Sequence, residues 1–510
     1  MVDIERQTAG ILNDASVAMA LGARSYAAAP FSPSEAYPEY PLDQTTLCDQ
    51  RNEAYAAVRE VLFRLDLDRE RFGSAEWNPL GRFIGPGRTV VLKPNFVRDF
   101  RQTQTGHGDC LITHGSVIRA VVDYAYKALA GRGRIIIADA PHNDADFDAV
   151  RRIAGLDEIQ DFYRRAAGFE IEVIDLRPEK ARLVNSLIVG HDRLPGDPAG
   201  YAAVNLGKRS MFAEVEHLCG LIYGADYDID EVRRHHRDGA HEYLISRTVL
   251  QADCVIVLSK LKTHKKVGLT VNLKNLVGIN GNKNWLPHHR EGSPSNGGDQ
   301  FPDDRAIHRL ERAVLTPFKR AFRRLGPLRP VLAWPAMELG KLVFGDTNAG
   351  TIRSGNWHGN DTTWRMAVDL NRILLYADPD GGLHDRPVRQ VFCVVDGIVA
   401  GEGEGPLDPT PRPAGAVIAG ANPLAVDLAC ARFMGMDWRR LPILHGALRD
   451  HPLPLLAATR EQVRVHVAGS SEPLGLDDLA GSDPPFRMPC GWRRQLEIAD
   501  LPSRDSTDER

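Results

Sequence analysis

Residues 258–278 read LSKLKTHKKVGLTVNLKNLVG and continue an apolar run, residues 254–258, that predicts a buried strand. Basic residues begin where this strand ends: residues 260–290 contain seven Lys or Arg, five Asn and no Asp or Glu. A solvated surface normally mixes both signs of charge, so a one-sided cluster at a strand exit indicates a place that holds an anion. A basic surface loop is the alternative. The accompanying Asn and Gly residues favour the anion site, because they supply directional hydrogen bonds and open backbone.

Apolar strands alternate with helical patterns on both sides of this stretch. Residues 88–92, 134–139 and 171–175 predict strands, separated by helices after residue 113 and over residues 147–167. Strands are also predicted over 390–396, 415–419 and 462–467. Strand, helix, strand is the order of a parallel sheet covered on both faces. The sequence therefore predicts an α/β fold: a mostly parallel, Rossmann-like sheet with helices on both faces, plus a mainly helical insertion.

Composition along the chain suggests five segments. Residues 1–80 predict a peripheral N-terminal extension, and residues 81–290 the first part of the α/β core. Residues 291–365 predict an insertion made of a loop and a basic helix. Residues 366–470 predict the second part of the core, and residues 471–510 a polar tail.

Overall composition is that of an ordinary soluble globular protein, with 510 residues, 43% hydrophobic and 25% charged. The net charge of −4 argues against nucleic-acid binding by charge alone, and residues 260–290 contain only one aromatic ring for base stacking, Trp285. The start of the chain lacks a basic signal sequence, and no apolar run reaches the roughly 18 residues that span a bilayer. We therefore expect a cytoplasmic protein with no stable membrane insertion. The oligomeric state stays open.

Seven scattered cysteines form no C-x-x-C pair, so neither a zinc ribbon nor a ferredoxin-type cluster is indicated. Their odd number fits reduced thiols. The loop at residues 401–406 is rich in Gly but has the spacing of neither a Walker loop nor a dinucleotide fingerprint. No G-x-S-x-G motif supports a hydrolase triad.

Polar clusters follow several predicted strands directly, and in open parallel sheets ligands bind beyond the carboxyl ends of the strands. These residues are therefore expected to converge in one cleft. The candidates for catalysis are His264, Lys260, Asp396 and Glu404. The candidates for substrate binding are Lys93, Asn95, Thr113, His114, Lys262, Lys274 and Asn275. His107 is a further titrating candidate, and Asp139 and Glu402 are candidates to hold a divalent metal such as Mg²⁺.

A series of short motifs resembles a known family, the domain of unknown function 362. The matching motifs are Lys93-Pro94-Asn95, Thr113-His114, SKLKTH at 259–264, LKNLVG at 273–278, Asp396-Gly397 with GEGP at 403–406, and NPLAVD at 422–427. Together they bracket residues 88–436. The resemblance implies little about activity. Some members append cysteine-rich ferredoxin modules, which this sequence lacks, so no iron–sulfur cluster is expected.

The leading hypothesis is a cytoplasmic enzyme that acts on a small anionic substrate, phosphorylated or carboxylated, with a divalent metal as one option. The alternative is a non-catalytic protein that binds a small ligand or cofactor in the same cleft. A third class, a nucleic-acid binder that uses residues 260–290, is disfavoured by the shortage of aromatic residues.

Overall fold

A ten-stranded sheet forms the centre of the computed structural model. The structure describes residues 10–101, 109–184, 187–224, 228–311, 352–493 and 495–496, with isolated residues between 313 and 342. The strands are β1 (Ser16–Leu21), β2 (Thr89–Pro94), β3 (Arg134–Asp139), β4 (Ile171–Asp175), β5 (Glu179–Val184), β6 (Leu187–Arg193), β7 (Tyr201–Asn205), β8 (Ile222–Gly224), β9 (Glu242–Ser246), β10 (Cys254–His264), β11 (Gly268–Thr270), β12 (Pro287–Arg290), β13 (Gln390–Glu404), β14 (Asp408–Gly420), β15 (Arg464–Val467) and β16 (Leu474–Gly475). The helices are α1 (Glu53–Arg64), α2 (Gly115–Ala128), α3 (Phe147–Ile153), α4 (Leu156–Ala167), α5 (Ile229–Arg234), α6 (Arg247–Leu250), α7 (Asn272–Asn275), α8 (Thr363–Tyr376), α9 (Pro423–Phe433) and α10 (Pro442–Ala447).

The order across the large sheet is β16-β15-β1-β14-β13-β10-β2-β3-β4, and β11 pairs with the end of β10. Strands β13, β10, β2, β3 and β4 are parallel neighbours. Strand β14 runs antiparallel between β13 and β1, and β1 is parallel to β15. The prediction of an α/β fold with a mostly parallel sheet is confirmed.

Helices cover both faces of the sheet, and the alternation of side chains along each strand divides the core into two layers. Val255 and Val257 of β10 pack in the layer that contains α8 and α9. Ile256 and Leu258 pack in the opposite layer, with α1 and α2. Because both faces are buried, the strand is a continuous apolar run, which is the pattern that revealed it in the sequence.

Two parts of the chain differ from expectation. Strand β1 lies inside the sheet with Val17, Ala18 and Met19 fully buried, so the segment 1–80 is not peripheral throughout. Its six residues stand among alanine-rich pieces, which weakens any periodic signal. Strand β13 continues to Glu404, through what the glycines had predicted to be a loop, because β14 pairs with it along that length. The other segment boundaries stay predictions, and most of the expected basic helix lies outside the described residues.

Among the described helices, none combines the length and the apolar character needed to cross a bilayer. All seven cysteines are free thiols, and five of them are buried. The interpretation of the cysteines as thiols, rather than as a disulfide framework, agrees with this arrangement.

Candidate functional site

Three parallel strands end at one edge of the sheet, at Pro94 for β2, Asp139 for β3 and His264 for β10. A cavity of about 450 Å³ opens beyond these ends. Side chains from the strand ends, from the segment 265–289 and from loops near residues 354–356 and 406–407 form its walls. The cavity therefore lies where parallel sheets commonly bind ligands.

The lining of this cavity is strongly cationic. Among the described residues that line it are four lysines and four histidines, but one carboxylate: Lys265, Lys266, Lys274, Lys283, His142, His264, His288, His289 and Asp139. The carboxylate of Asp139 is already engaged by Lys93, whose Nζ lies 2.8 Å from Oδ1. Lys265 has a carboxylate partner outside the lining, Glu404, at 3.5 Å. The cavity thus holds more positive charge than the carboxylates of its lining compensate.

The pair of Lys93 and Asp139 forms the floor of the cavity. Lys93 is fully buried and also donates to the carbonyl of Pro94 at 2.7 Å and to Oδ1 of Asn275 at 3.0 Å. Asp139 accepts a hydrogen bond from the backbone N–H of Phe96 at 2.8 Å. Gly278 packs directly on the pair: a Cβ there would lie 1.9 Å from Oδ1 of Asp139. Only glycine fits at this position.

Lys274, on the short helix α7, is the least compensated of these cations. Its ammonium makes no hydrogen bond or ion pair with the part of the chain that the structure describes, although the neighbouring residues Asn272 and Asn275 are bonded on several sides. Burial lowers the pKa of Lys274 to about 7, and the charges of Lys266 and Lys93 contribute further. Close to neutral pH this side chain therefore carries its proton only part of the time.

Lys283 and Lys266 share this environment but have carbonyl partners. Lys283 donates to the carbonyl of Ala140 at 2.8 Å, and burial lowers its pKa to about 7. Lys266 donates to the carbonyl of Ser354, and burial lowers its pKa to about 8. Carbonyl dipoles satisfy the donors but do not neutralise the charges.

Two histidines of the lining are neutral near pH 7. Burial, reinforced by the charges of Lys274 and Lys266, holds the pKa of both His264 and His288 well below the usual value. In His264, Nδ1 accepts from the N–H of Lys266 at 3.0 Å, which assigns the proton to Nε2. In His288, Nδ1 faces the carbonyl of Leu286 at 2.9 Å and must donate, which leaves a lone pair on Nε2. The cavity therefore offers one imidazole donor and one imidazole acceptor.

A second group of predicted residues lies outside the cavity lining, on the α1 and α2 face of the sheet. Lys260 and Asp396 are fully buried and paired, with Nζ 2.8 Å from Oδ2. The hydroxyl of Tyr26 accepts from Lys260 at 2.9 Å and donates to Asp396 at 2.6 Å. The backbone N–H of His114 also donates to Asp396, at 3.0 Å. We call these four residues the paired cluster.

Alternation along β10 accounts for the positions of Lys260 and Lys262. Lys260 and Lys262 follow Ile256 and Leu258 by even steps and so point to the same face as those two residues. Ser259 points to the other face, where its hydroxyl contacts Asn272 of α7 at 2.9 Å. The sequence predicts that these residues lie together at the end of one strand. It does not tell which face of the sheet each side chain points to.

The remaining predicted binding residues on that face have structural partners. Thr113 donates to the carbonyl of Leu258 at 2.7 Å. His114 stacks on Tyr26 with ring centres 3.8 Å apart, and its Nδ1 accepts from the N–H of Ser116, which caps α2. Lys262 is fully buried and donates to the carbonyl of Leu111 at 2.5 Å, and burial lowers its pKa to about 7. His107 lies outside the described residues.

The two carboxylates proposed to hold a metal are bound to different cations. Asp139 is paired with Lys93, whereas Glu402 lies on β13 within 3.1 Å of Arg412. Glu404, the nearby catalytic candidate, accepts from the N–H of Cys490 at 2.7 Å. Asp139 lines the cavity and Glu402 does not, because Glu402 lies on β13 where that strand pairs with β14. That the two carboxylates hold a metal stays a prediction.

Of the predicted residues, Asn95, Asp139, His264, Lys274 and Asn275 line the cavity, and Lys93 lies directly beneath it. The sequence analysis did not select Lys266, Lys283 or His288, although all three lie in the basic stretch that it identified. The short strand β12 that carries His288 has four residues and gives no periodic signal.

Comparison with known proteins finds one matching family model and several similar solved structures. Residues 198–432 match the model of the family described as Domain of unknown function (DUF362). A crystal structure of a protein from Thermotoga maritima is similar to this chain with 13% sequence identity and a TM-score of 0.29, over 73% of this chain and 57% of that one. This chain thus spans less than two thirds of the length of that structure. A search among curated proteins finds no match.

Proposed function

We propose that this chain, whose residues 198–432 match the model of the domain of unknown function 362 family, binds a small phosphorylated or carboxylated molecule in the cationic cavity and catalyses a proton transfer on it. The observation that carries the proposal is the charge imbalance. Four lysines line one cavity. The single carboxylate among the described lining residues, that of Asp139, is already paired with Lys93. Buried cations without counter-ions are costly, and an anionic ligand removes that cost.

The lowered pKa values support the same proposal. Lys274 and Lys283 have a pKa of about 7, with burial as the main cause. A bound phosphate or carboxylate would favour the charged form of each lysine and raise its pKa again. Binding near pH 7.5 is therefore expected to take up protons from solution.

The lining also supplies groups suited to proton transfer. The lone pair on Nε2 of His288 can accept a proton once a bound anion offsets the lysine charges that help to lower the pKa of this imidazole. The N–H at Nε2 of His264 fits the role of a hydrogen-bond donor to a developing oxyanion. Lys274 has a pKa matched to acid–base work at neutral pH.

The test is a binding screen with phosphorylated and carboxylated metabolites, followed by affinity measurements on two variants. We expect Lys274→Ala to weaken binding of the best ligand at least about tenfold, since one charge-assisted contact is lost. Lys208→Ala is the matched control, because Lys208 is exposed and does not line the cavity. Failure of every anion to bind would overturn the proposal.

Turnover distinguishes the enzyme from a simple binding protein. If the protein is an enzyme, His288→Ala abolishes product formation at saturating ligand while Lys274→Ala lowers both affinity and rate. If saturating ligand is bound and recovered unchanged with the wild-type protein, the cavity belongs to a non-catalytic binding protein.

A further inference from the structure

Three side chains with metal-ligating atoms meet on the surface that carries the 3₁₀ helix Met211–Leu221. Glu216 and Cys219 come from this helix, and His241 comes from the chain just before β9. One possible ligand atom from each residue lies within 4.8 Å of those of the other two. We call these three residues the Glu–Cys–His cluster.

The backbone holds the cluster together. Glu216 and Cys219 are three residues apart in a helix with three residues per turn, so their side chains lie on the same side. The N–H of His241 donates to Oδ1 of Asn205 at 3.0 Å, and its carbonyl accepts from the N–H of Leu206 at 3.1 Å. The N–H of Gly239 donates to Oε1 of Glu216 at 3.0 Å. The three donors are therefore positioned by main-chain contacts before any ion arrives.

The imidazole of His241 is buried yet poorly satisfied. It is fully inaccessible, and its Nδ1 makes no hydrogen bond with the described residues. Its Nε2 lies 2.8 Å from Oε2 of Glu216. The thiol of Cys219 has one weak contact, at 3.6 Å from the carbonyl of Val215. A buried imidazole in contact with a carboxylate and close to a thiol is an arrangement that a metal ion would complete.

From this geometry we infer that Glu216, Cys219 and His241 bind a divalent transition metal of the zinc class. Thiolate, imidazole and carboxylate are the ligands that proteins use for Zn²⁺, whereas Mg²⁺ and Ca²⁺ prefer oxygen alone. The thiolate and the carboxylate together neutralise a divalent ion. Glu216 keeps 37% of its side chain exposed, which leaves an entry path and room for a water as fourth ligand.

The ion would connect this helix to the start of β9. The helix leads directly into β8, whose Tyr223 and Gly224 line the cationic cavity. A bound metal would thus also fix one wall of that cavity. The metal site itself does not depend on what the cavity binds.

Cobalt binding to the full-length chain tests the inference. The protein is freed of metal with a chelator and titrated with Co²⁺, and a zinc-class site predicts one Co²⁺ per chain with a thiolate-to-cobalt charge-transfer absorption. Zn²⁺ is expected to displace the cobalt and abolish the absorption. The substitution Cys219→Ser should remove the charge-transfer absorption, and Cys48→Ser, at a partly exposed cysteine outside the cluster, should leave it unchanged.

A second variant keeps the test decisive if Cys219→Ser does not fold. Glu216→Gln changes a partly exposed side chain and should weaken Co²⁺ binding at least about tenfold with unchanged circular dichroism. Substoichiometric cobalt, a spectrum without a thiolate band in the wild type, or equal affinity in Glu216→Gln and the wild type would each overturn the inference.

Discussion

Lys260 and Lys274 are two lysines of the same basic stretch with opposite surroundings. Lys260 lies in the paired cluster, 2.8 Å from Asp396 and 2.9 Å from Tyr26. Lys274 lines the cavity, and no carboxylate among the described residues compensates it. A paired buried charge is part of the fold, whereas an uncompensated one beside a cavity indicates a missing ligand. The presence or absence of a carboxylate partner therefore separates the structural lysine from the candidate functional one.

The largest effect is expected from breaking the paired cluster. Asp396→Ala leaves the ammonium of Lys260 buried without its carboxylate and should lower the free energy of unfolding by about 3–5 kcal/mol. Urea denaturation followed by circular dichroism measures the loss. As a control, Asp385→Ala removes the exposed partner of Arg209 and should cost about 0–1 kcal/mol. A similar small loss for both variants would show that the paired cluster is not structural.

The floor of the cavity should tolerate no added volume. Gly278→Ala places a methyl group 1.9 Å from Oδ1 of Asp139 and 2.6 Å from Nζ of Lys93, two atoms held in a buried ion pair. We expect a loss of about 1–3 kcal/mol in the free energy of unfolding. Gly85→Ala is the control, because its added Cβ meets nothing within 4 Å. Equal stability of the two variants would contradict the packing described for Gly278.

Removing the uncompensated charge of Lys274, in contrast, should not lower the stability of the ligand-free protein. Lys274→Met keeps the length of the side chain and removes a cation repelled by Lys266 and Lys93, so the ligand-free protein should be as stable as the wild type or more so. Thermal unfolding without ligand at pH 7 checks this. A marked loss of stability would mean that Lys274 has a structural partner, as Lys260 does.

A smaller effect is expected in the pH dependence of stability. The pKa of Lys274 and Lys283 is about 7 in the folded protein, below the value of about 10.4 in an unfolded chain. Between these two pKa values the unfolded chain binds more protons than the folded protein does. The free energy of unfolding of the ligand-free protein therefore increases as the pH rises from 7 toward 10. Urea midpoints at pH 7, 8 and 9 measure the slope. Lys274→Met should flatten it, and an unchanged slope would contradict the lowered pKa of Lys274.

The sequence predicted those elements of the fold that depend on a local pattern of apolar and polar residues. The apolar run before Lys260 gave β10, and the order of strands and helices gave the parallel part of the sheet. Strand β1 was missed because a strand of six residues carries little periodic signal and its place is fixed by pairing with β14 and β15. Such long-range pairing leaves no trace in a local window.

The candidate site was predicted in part for a similar reason. Asn95, Asp139 and His264 come at strand ends in the sequence, and all three line the same cavity in the structure. The face to which each side chain points, and the partner it meets there, depend on chain segments far away in sequence: Asp396 is 136 residues from Lys260. The sequence therefore located the lysines but could not tell the paired one from the uncompensated one.

The number of protons taken up on anion binding tests the central claim most directly. Calorimetric titration of the best anionic ligand at pH 7.5, in two buffers of different ionisation enthalpy, gives that number for the wild type and for Lys274→Ala. The account predicts net uptake by the wild type and a clearly smaller uptake by the variant, because the ligand supplies the negative charge that Lys274 lacks. Binding without proton uptake, or equal uptake by both proteins, would contradict it.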